Sequence, residues 1–348
     1  MIDNVIIMAG GAGKRLWPAS VASCPKQFMR IGGEKTLFRQ ALDRAEALNL
    51  SGHIYVVTHE NHVPAALNEV KQLSLDLQQQ ITILAEPVGK NTAPALALAS
   101  ERMILDGREK ETVLVMAADH LISPVESFVI DVEQAATTAK NQGIVTFGIV
   151  PNSPATGYGY IEVEDGVSGP CPVKAFREKP NGQIAQEYVE SGQHFWNSGM
   201  FCFQVEHFLV ELALHAPQVA RVFAQPQQNW FLEEPGVCFP SSLLRELYHQ
   251  CPAISIDYAV MEHTQSAWMV PATFQWSDVG SWDAIADMGC STTNHEIQAQ
   301  NNFSYSELPV TFCGVDDLIA VVANSQVFIC KRGESQLAKD AAEAHQGS

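Results

Sequence analysis

Val5-Ile6-Ile7-Met8-Ala9-Gly10-Gly11-Ala12-Gly13-Lys14-Arg15-Leu16-Trp17-Pro18 runs four apolar residues directly into three glycines and a basic pair. A continuous apolar run without polar alternation is the pattern of a strand covered on both faces by helices, as in a parallel sheet. Glycines at 10, 11 and 13 let the backbone approach a phosphate or base closely, and peptide N–H groups in such a turn point at an anion. A tight turn needing glycine for geometry alone is the alternative. The stretch is not a P-loop, because Gly13-Lys14 is followed by Arg15 rather than Ser or Thr. It also lacks the third glycine of a dinucleotide fingerprint.

Outward from this stretch, short apolar runs alternate with longer helical patterns to about residue 150. The runs are Val5 to Met8, Ile54 to Thr58, Ile81 to Leu84, Val113 to Met116 and Ile144 to Val150. Between them, apolar residues recur at three and four over Thr36 to Leu48, Val63 to Leu73, Thr92 to Leu105 and Val125 to Ala139, which predicts helices. The fold class is therefore α/β, a Rossmann-like, mostly parallel sheet flanked by helices. Ligands of such sheets bind beyond the carboxyl ends of the strands, so the loops after Met8, Leu84 and Met116 should converge there. From 151 the pattern is mixed, with strands expected at Tyr158 to Val163, Val173 to Arg177 and around Met200 to Gln204. The expected organisation is a domain over 1–288, with halves 1–150 and 151–288, a small β appendage over 289–340, and a frayed polar tail over 341–348.

The 348 residues carry 21 Lys+Arg against 39 Asp+Glu, a formal net charge of -18. A field of that sign repels nucleic-acid backbones and anionic membranes, so neither is expected as a partner. The first thirty residues run the other way: Lys14, Arg15, Lys26 and Arg30 are set against the single acid Asp3. Within Pro25-Lys26-Gln27-Phe28, the lysine is a compact point charge suited to phosphate. No leader pattern opens the sequence and no apolar run reaches the roughly 18 residues that span a bilayer. Eight cysteines without a C-x-x-C are expected as reduced thiols in a cytoplasmic protein. His59-Glu60-Asn61-His62 has an H-x-x-H spacing but no further ligand nearby in sequence, and is expected as loop surface rather than a zinc site.

Gly10 to Pro18 followed by Pro25-Lys26-Gln27-Phe28 closely resembles the signature of sugar-nucleotide pyrophosphorylases of the mannose-1-phosphate guanylyltransferase type. The resemblance continues in order through Glu86-Pro87, Asn91-Thr92-Ala93-Pro94-Ala95, Ala118-Asp119-His120 and Thr156-Gly157-Tyr158-Gly159-Tyr160-Ile161. It goes on through Phe176-Arg177-Glu178-Lys179-Pro180, Trp196-Asn197-Ser198-Gly199-Met200-Phe201, Ile256-Asp257-Tyr258-Ala259-Val260-Met261-Glu262 and Trp276-Ser277-Asp278-Val279-Gly280-Ser281-Trp282. It spans residue 5 to about 285.

That family joins a sugar 1-phosphate to a nucleoside triphosphate and releases pyrophosphate. The resemblance implies GTP and mannose 1-phosphate as substrates, GDP-mannose and pyrophosphate as products, and Mg²⁺ as cofactor; it leaves a homodimer open. The nucleophile is an already ionised phosphate oxygen, so positioning and charge neutralisation are needed rather than a general base. Carried over by motif, Arg15 holds the β- and γ-phosphates, Lys26 neutralises the reacting phosphates and Lys179 grips the sugar phosphate. Asp119 and Asp278 become the two Mg²⁺ ligands, which suits a hard cation shared with phosphate oxygens. Gly10, Gly11, Gly13, Lys14, Glu86, Asn91, Thr92 and Pro94 are the nucleotide-binding positions, although Asn91-Thr92 with Pro94 also reads as a capped helix start. Gly159, Glu178 and Asn197 are the sugar-binding positions; Trp196 to Gly199 alone reads as a turn or bulge entering a strand.

The sequence departs from the family in places. Val21 follows Ser20 where an arginine is usual, Lys14 replaces a small hydroxyl residue, and Lys90 replaces an arginine. The stretch Asn301 to Ala338 resembles the family's short β-helical tail, shortened between Glu296 and Ser306. Longer members continue into an isomerase domain, and with the sequence ending at Ser348 isomerase activity is not expected. A nucleotidyltransferase for another sugar or base is one alternative. An inert sugar-nucleotide-sensing subunit is another, although such a protein should have lost the catalytic cations and metal ligands that this sequence keeps.

Overall fold

The computed structural model describes residues 1–11, 14–21, 23–224, 228–289 and 294–346. The chain forms two compact units interleaved in sequence. The first comprises Met1–Gly10, Ala41–Ala118 and Ile122–Trp276; the second comprises Gly11–Gln40, Asp119–Leu121 and Ser277–Ser348. Linear order suggests breaks near 150 and 288, whereas this division groups residues from both sides of 150 in one unit. It also takes the segment after the first strand, with Asp119, into the unit of the C-terminal residues.

The first unit is built on a twelve-stranded sheet. In chain order its strands are β1 (Asn4–Met8), β2 (Ile54–His59), β3 (Ile81–Glu86), β4 (Thr112–Ala117), β5 (Ile144–Ile149), β6 (Gly159–Glu162), β7 (Cys171–Pro172), β8 (Ala175–Glu178), β9 (His194–Gln204), β10 (Phe231–Glu234), β11 (Val237–Pro240) and β12 (Ala267–Pro271). Across the sheet they lie in the order β10-β11-β3-β2-β1-β4-β9-β5-β12-β7, with β6 paired to β9 and β8 to β6. The run β11, β3, β2, β1, β4 is parallel throughout. Val5, Ile6 and Ile7 have no exposed surface, in line with the unbroken apolar pattern. β9 lies antiparallel between β4 and β5, which makes the sheet mixed. It begins at His194, six residues before the expected start. Its register shifts between Asn197 and Phe201 around Gly199 at φ 70°, a bulge that re-aims side chains beside it.

Strand order reverses at β1, which lies between β2 and β4, so the loops leaving β1 and β4 mark a topological switch point. The Ala118 peptide N–H donates to the Met8 carbonyl at 3.0 Å and holds the two strand ends together. The helix Thr92–Leu105 is buried on nearly every side through its first two turns. Its alanines at 93, 95, 97 and 99 carry little bulk, which permits close packing against the helices Val205–His215 and Pro217–Phe223. Among the described residues no helix is long and apolar enough to cross a membrane.

The second unit has its own core. Leu16, Trp17, Met29, Ile31 and Leu37 pack with Val279, Trp282, Ile285, Phe303, Ile319, Val321, Phe328, Ala338 and Ala342. The Trp282 indole N–H donates to the Trp17 carbonyl at 3.0 Å, and Asn324 Nδ2 donates to the Pro18 carbonyl at 2.8 Å. The C-terminal strands are β13 (Asn294–Ile297), β14 (Phe303–Ser306), β15 (Val310–Cys313), β16 (Leu318–Ala323) and β17 (Gln326–Lys331). β13 pairs in parallel with β15 and β14 with β16, matching Asn294 to Val310 and Phe303 to Ile319. Both offsets are sixteen residues, the repeat of a coil of parallel strands. The tail expected to fray is instead a helix, Ala338–Gln346, because Ala338 and Ala342, one turn apart, are buried in this core.

Candidate active site

Two groups of expected residues come together, one within each unit. The glycine-rich loop leaves β1 of the first unit where Thr58 Oγ1 donates to the Ala9 carbonyl at 2.8 Å, and its continuation from Gly11 is counted with the second unit. A Cβ on Gly10 or Gly11 would meet no atom of the described residues within 4 Å, and Gly11 has φ +110°. At position 11 the requirement for glycine is therefore one of backbone conformation. Gly13 and the side chain of Lys14 lie outside the described residues. Arg15, in the 3₁₀ turn Lys14–Leu16, is exposed.

Lys26 starts a second 3₁₀ turn, Lys26–Phe28, closed by Phe28 N–H to the Pro25 carbonyl at 2.9 Å. Only 8% of Lys26 is exposed. Its ammonium lies 2.8 Å from Asp119 Oδ2 and also donates to the Asp278 backbone carbonyl. Burial alone would raise the Asp119 carboxyl; the Lys26 ammonium and the neighbouring His120 outweigh it and hold the group below the usual carboxylate range. Asp278 Oδ1 accepts from the Gly280 N–H at 3.1 Å. A Cβ on Gly280 would lie 2.6 Å from Asp278 Oδ2, so any larger residue there displaces that carboxylate. Lys26 thus joins the two residues expected as metal ligands, one through its side chain and one through its backbone. Among the described residues no three His, Cys, Asp or Glu side chains gather as a metal cage.

In the first unit, the antiparallel pair β6 and β8 sets Gly159 opposite Glu178. A Cβ on Gly159 would lie 2.5 Å from Glu178 Oε2, 3.1 Å from Phe176 Cζ and 3.4 Å from Asn197 Cβ. The three expected sugar-binding residues are therefore immediate neighbours, and glycine is needed at 159 for space. Lys179, at φ 49°, turns its ammonium back to Glu178 Oε1 at 2.8 Å. Asn197, on the bulged stretch of β9, accepts at Oδ1 from the Gly199 N–H at 3.3 Å, with Thr146 Oγ1 2.8 Å away. It donates from Nδ2 to Asp257 Oδ1 at 3.0 Å. Burial, then the Glu178 carboxylate, push Asp257 up to about 6. Glu262 Oε1 accepts from the Glu178 N–H at 3.0 Å. Asp257, Glu262 and Thr146 were not singled out by sequence. The two acids stand in a motif already quoted, and their spacing of five is their one distinguishing mark.

The remaining nucleotide positions lie at the ends of β3 and the following helix. Glu86 is 5% exposed, accepts from the Tyr248 hydroxyl, and is pushed by burial up to about 7; its carboxyl is turned inward. Asn91, at φ 70°, caps the helix Thr92–Leu105 by accepting from Thr92 N–H at 2.9 Å. Thr92 Oγ1 accepts from Ile256 N–H at 2.8 Å, and Pro94 is buried in the first turn. His59 Nδ1 accepts from the Asn61 N–H, and Glu60 pairs with Arg245 at 2.9 Å.

A mixed α/β sheet with a glycine-rich loop at its switch point, together with two such polar clusters, is the architecture of a nucleotide-transferring enzyme. The Nucleotidyl transferase family matches residues 4–295, and the chain belongs to that family. Among curated relatives, Mannose-1-phosphate guanylyltransferase 2 of Escherichia coli O157:H7 is 36% identical over 361 residues, covering 97% of this chain and 72% of that protein. A solved structure described as mannose-1-phosphate geranyltransferase from Thermus thermophilus aligns with a TM-score of 0.86 at 25% identity, covering 99% of this chain and 100% of that one. Another, described as mannose-6-phosphate isomerase from Helicobacter pylori, aligns with a TM-score of 0.65 at 30% identity, covering 80% of this chain and 100% of that one.

Proposed function

We propose that the chain transfers GMP from GTP to α-D-mannose 1-phosphate, giving GDP-mannose and pyrophosphate. What carries this assignment is the grouping of Lys179, Glu178, Asn197 and Gly159: an ammonium for a phosphate, a carboxylate and an amide for hydroxyls, and a glycine that leaves room for a ring. A phosphate oxygen of mannose 1-phosphate attacks the α-phosphorus of GTP in line. The new P–O bond forms as the bond to the β-phosphate oxygen breaks, and the electron pair leaves with pyrophosphate. No proton has to be removed from the nucleophile, so the work is positioning and charge neutralisation.

In this reading Lys179 holds the sugar phosphate while Glu178 accepts from, and Asn197 hydrogen-bonds to, sugar hydroxyls. Arg15 is the exposed cation that meets the β- and γ-phosphates, and Lys26 neutralises charge at the reacting phosphates. Gly10 and Gly11, with Gly13, Lys14, Glu86, Asn91, Thr92 and Pro94, are assigned to the nucleotide. Two carboxylates, with no third protein ligand among the described residues, suit a Mg²⁺ ion completed by phosphate oxygens and water; Asp119 and Asp278 would hold it. When bound, such an ion withdraws charge from the phosphates. Both substrates are cytoplasmic metabolites, which makes the cytoplasm the expected site of action.

The test incubates purified protein and mannose 1-phosphate with each of GTP, ATP, UTP and dTTP, with Mg²⁺ or with a chelator, and measures pyrophosphate. Release is expected with GTP and Mg²⁺. No release with GTP, or faster release with another nucleotide, overturns the specificity; undiminished release in the chelator overturns the metal assignment.

A further inference from the structure

The Asn197 amide is oriented from both ends. The Gly199 peptide N–H donates to Oδ1, and the Asp257 carboxylate accepts from Nδ2. A peptide N–H only donates and an ionised carboxylate only accepts, so the two amide atoms cannot exchange places. One Nδ2 hydrogen goes to Asp257 and the other has no partner among the described residues, so Asn197 offers a ligand a donor.

Glu178, the acceptor beside it, is held by its backbone N–H on Glu262. Asp257 and Glu262 stand at the two ends of one short π-helical segment, Asp257–Met261, closed by the Glu262 N–H donating to the Asp257 carbonyl at 3.0 Å. In an α-helix a residue five positions on lies about 140° round the axis. A turn widened to five residues instead brings both acids toward one face, and such turns are frequent at functional sites.

We propose that the segment Asp257 to Glu262 is the positioning element of the sugar cluster. Asp257 aims the free Nδ2 hydrogen of Asn197 at one hydroxyl of the sugar 1-phosphate, and Glu262 fixes the backbone from which Glu178 and Lys179 project. This rests on the assignment of a sugar 1-phosphate to that cluster. Neither acid touches the sugar; each acts through the residue it holds.

The experiment measures steady-state pyrophosphate release by wild type, Asp257→Ala and Asp257→Asn, with mannose 1-phosphate and its 2-, 3- and 4-deoxy analogues. Losing one oriented hydrogen bond raises KM for mannose 1-phosphate about 5- to 10-fold in Asp257→Ala, with KM for GTP within twofold. Asp257→Asn keeps a carbonyl that accepts from Nδ2 and retains most of the wild-type affinity. One deoxy analogue, penalised in the wild type, loses nothing further in Asp257→Ala. Unchanged KM for mannose 1-phosphate in active Asp257→Ala, parallel rises in both KM values, or Asp257→Asn as impaired as Asp257→Ala, each overturns the inference alone. Wild-type protein inactive with both substrates overturns the proposed reaction and the inference together.

Discussion

Gly159→Ala probes the sugar cluster through a single methyl group. The new Cβ would arrive 2.5 Å from Glu178 Oε2 and 3.1 Å from the Phe176 ring. The ring is in the buried core, so the carboxylate must yield. An ordinary contact with carbon is near 3.4 Å, and reaching it moves the oxygen by roughly 0.5 to 1 Å. Glu178 has little freedom to comply, because its side chain is 8% exposed and its other oxygen holds Lys179. A hydrogen bond to a charged group contributes about 1.5 to 3 kcal/mol. Losing its alignment therefore raises KM for mannose 1-phosphate about 10- to 150-fold. Nothing on the nucleotide side is disturbed, so KM for GTP stays within twofold. Pyrophosphate release with one substrate varied at a time reads both constants, and thermal unfolding checks that the variant is folded. A folded Gly159→Ala protein with KM for mannose 1-phosphate within twofold of wild type refutes the reasoning, since it would mean that Glu178 moves without consequence.

Two further perturbations test charge in the interior. Lys26→Met leaves the partly buried Asp119 carboxylate, 25% exposed, without its cation and is expected to destabilise the protein by about 1 to 3 kcal/mol at pH 7.5, between the values for an exposed and a buried pair. The folded-state pKa of Asp119 is depressed, so the pair stabilises above the ordinary carboxylate pKa and that contribution is lost as pH falls through the folded value. The gap between variant and wild type in urea unfolding should therefore narrow toward pH 3.5; a gap independent of pH contradicts the pairing. Glu101, in the helix Thr92–Leu105, has a buried Oε2 without a hydrogen-bond partner among the described residues, and burial pushes it up to about 7. A raised carboxyl costs stability as pH climbs from about 4.3, its ordinary value, toward 7. Glu101→Gln is accordingly expected to melt higher than wild type at pH 8 and close to level with it at about pH 4, below the ordinary carboxyl value; equal melting at both values removes the argument.

The parallel half of the sheet was legible because burial on both faces leaves only one kind of pattern, and Val5 to Met8 and Val113 to Met116 carry it without interruption. Helix Thr92–Leu105 was bounded to the residue, since Asn91 caps it and Pro94 is tolerated in the first turn. β10, β11 and β12 were not legible: four- and five-residue strands such as Val237–Pro240 carry too few positions for any period to declare itself. The grouping of Gly159 with Glu178 and Asn197 came from resemblance, and only strand pairing reveals that space is what requires the glycine. The inward turn of Glu86 was invisible because its partner, Tyr248, is 162 residues away. Nor could sequence foresee that Lys26 bonds to Asp119 and to the Asp278 backbone, because contact between residues 26 and 278 depends on the tertiary structure.

The core joining Trp17 to Trp282 also has a consequence for synthesis. A ribosome adding about 5 to 20 residues per second needs roughly 15 to 50 s to travel between those two tryptophans. Throughout that interval the basic segment bearing Arg15 and Lys26 has been made while the apolar partners of Leu16, Trp17, Met29 and Ile31 beyond residue 277 have not. Its most hydrophobic residues are left to chaperones or to non-native collapse. The second unit can close only after residues 277 to 342 have been made, so the segment bearing Arg15 and Lys26 is translated among the first residues of that unit and packed only once the last have followed.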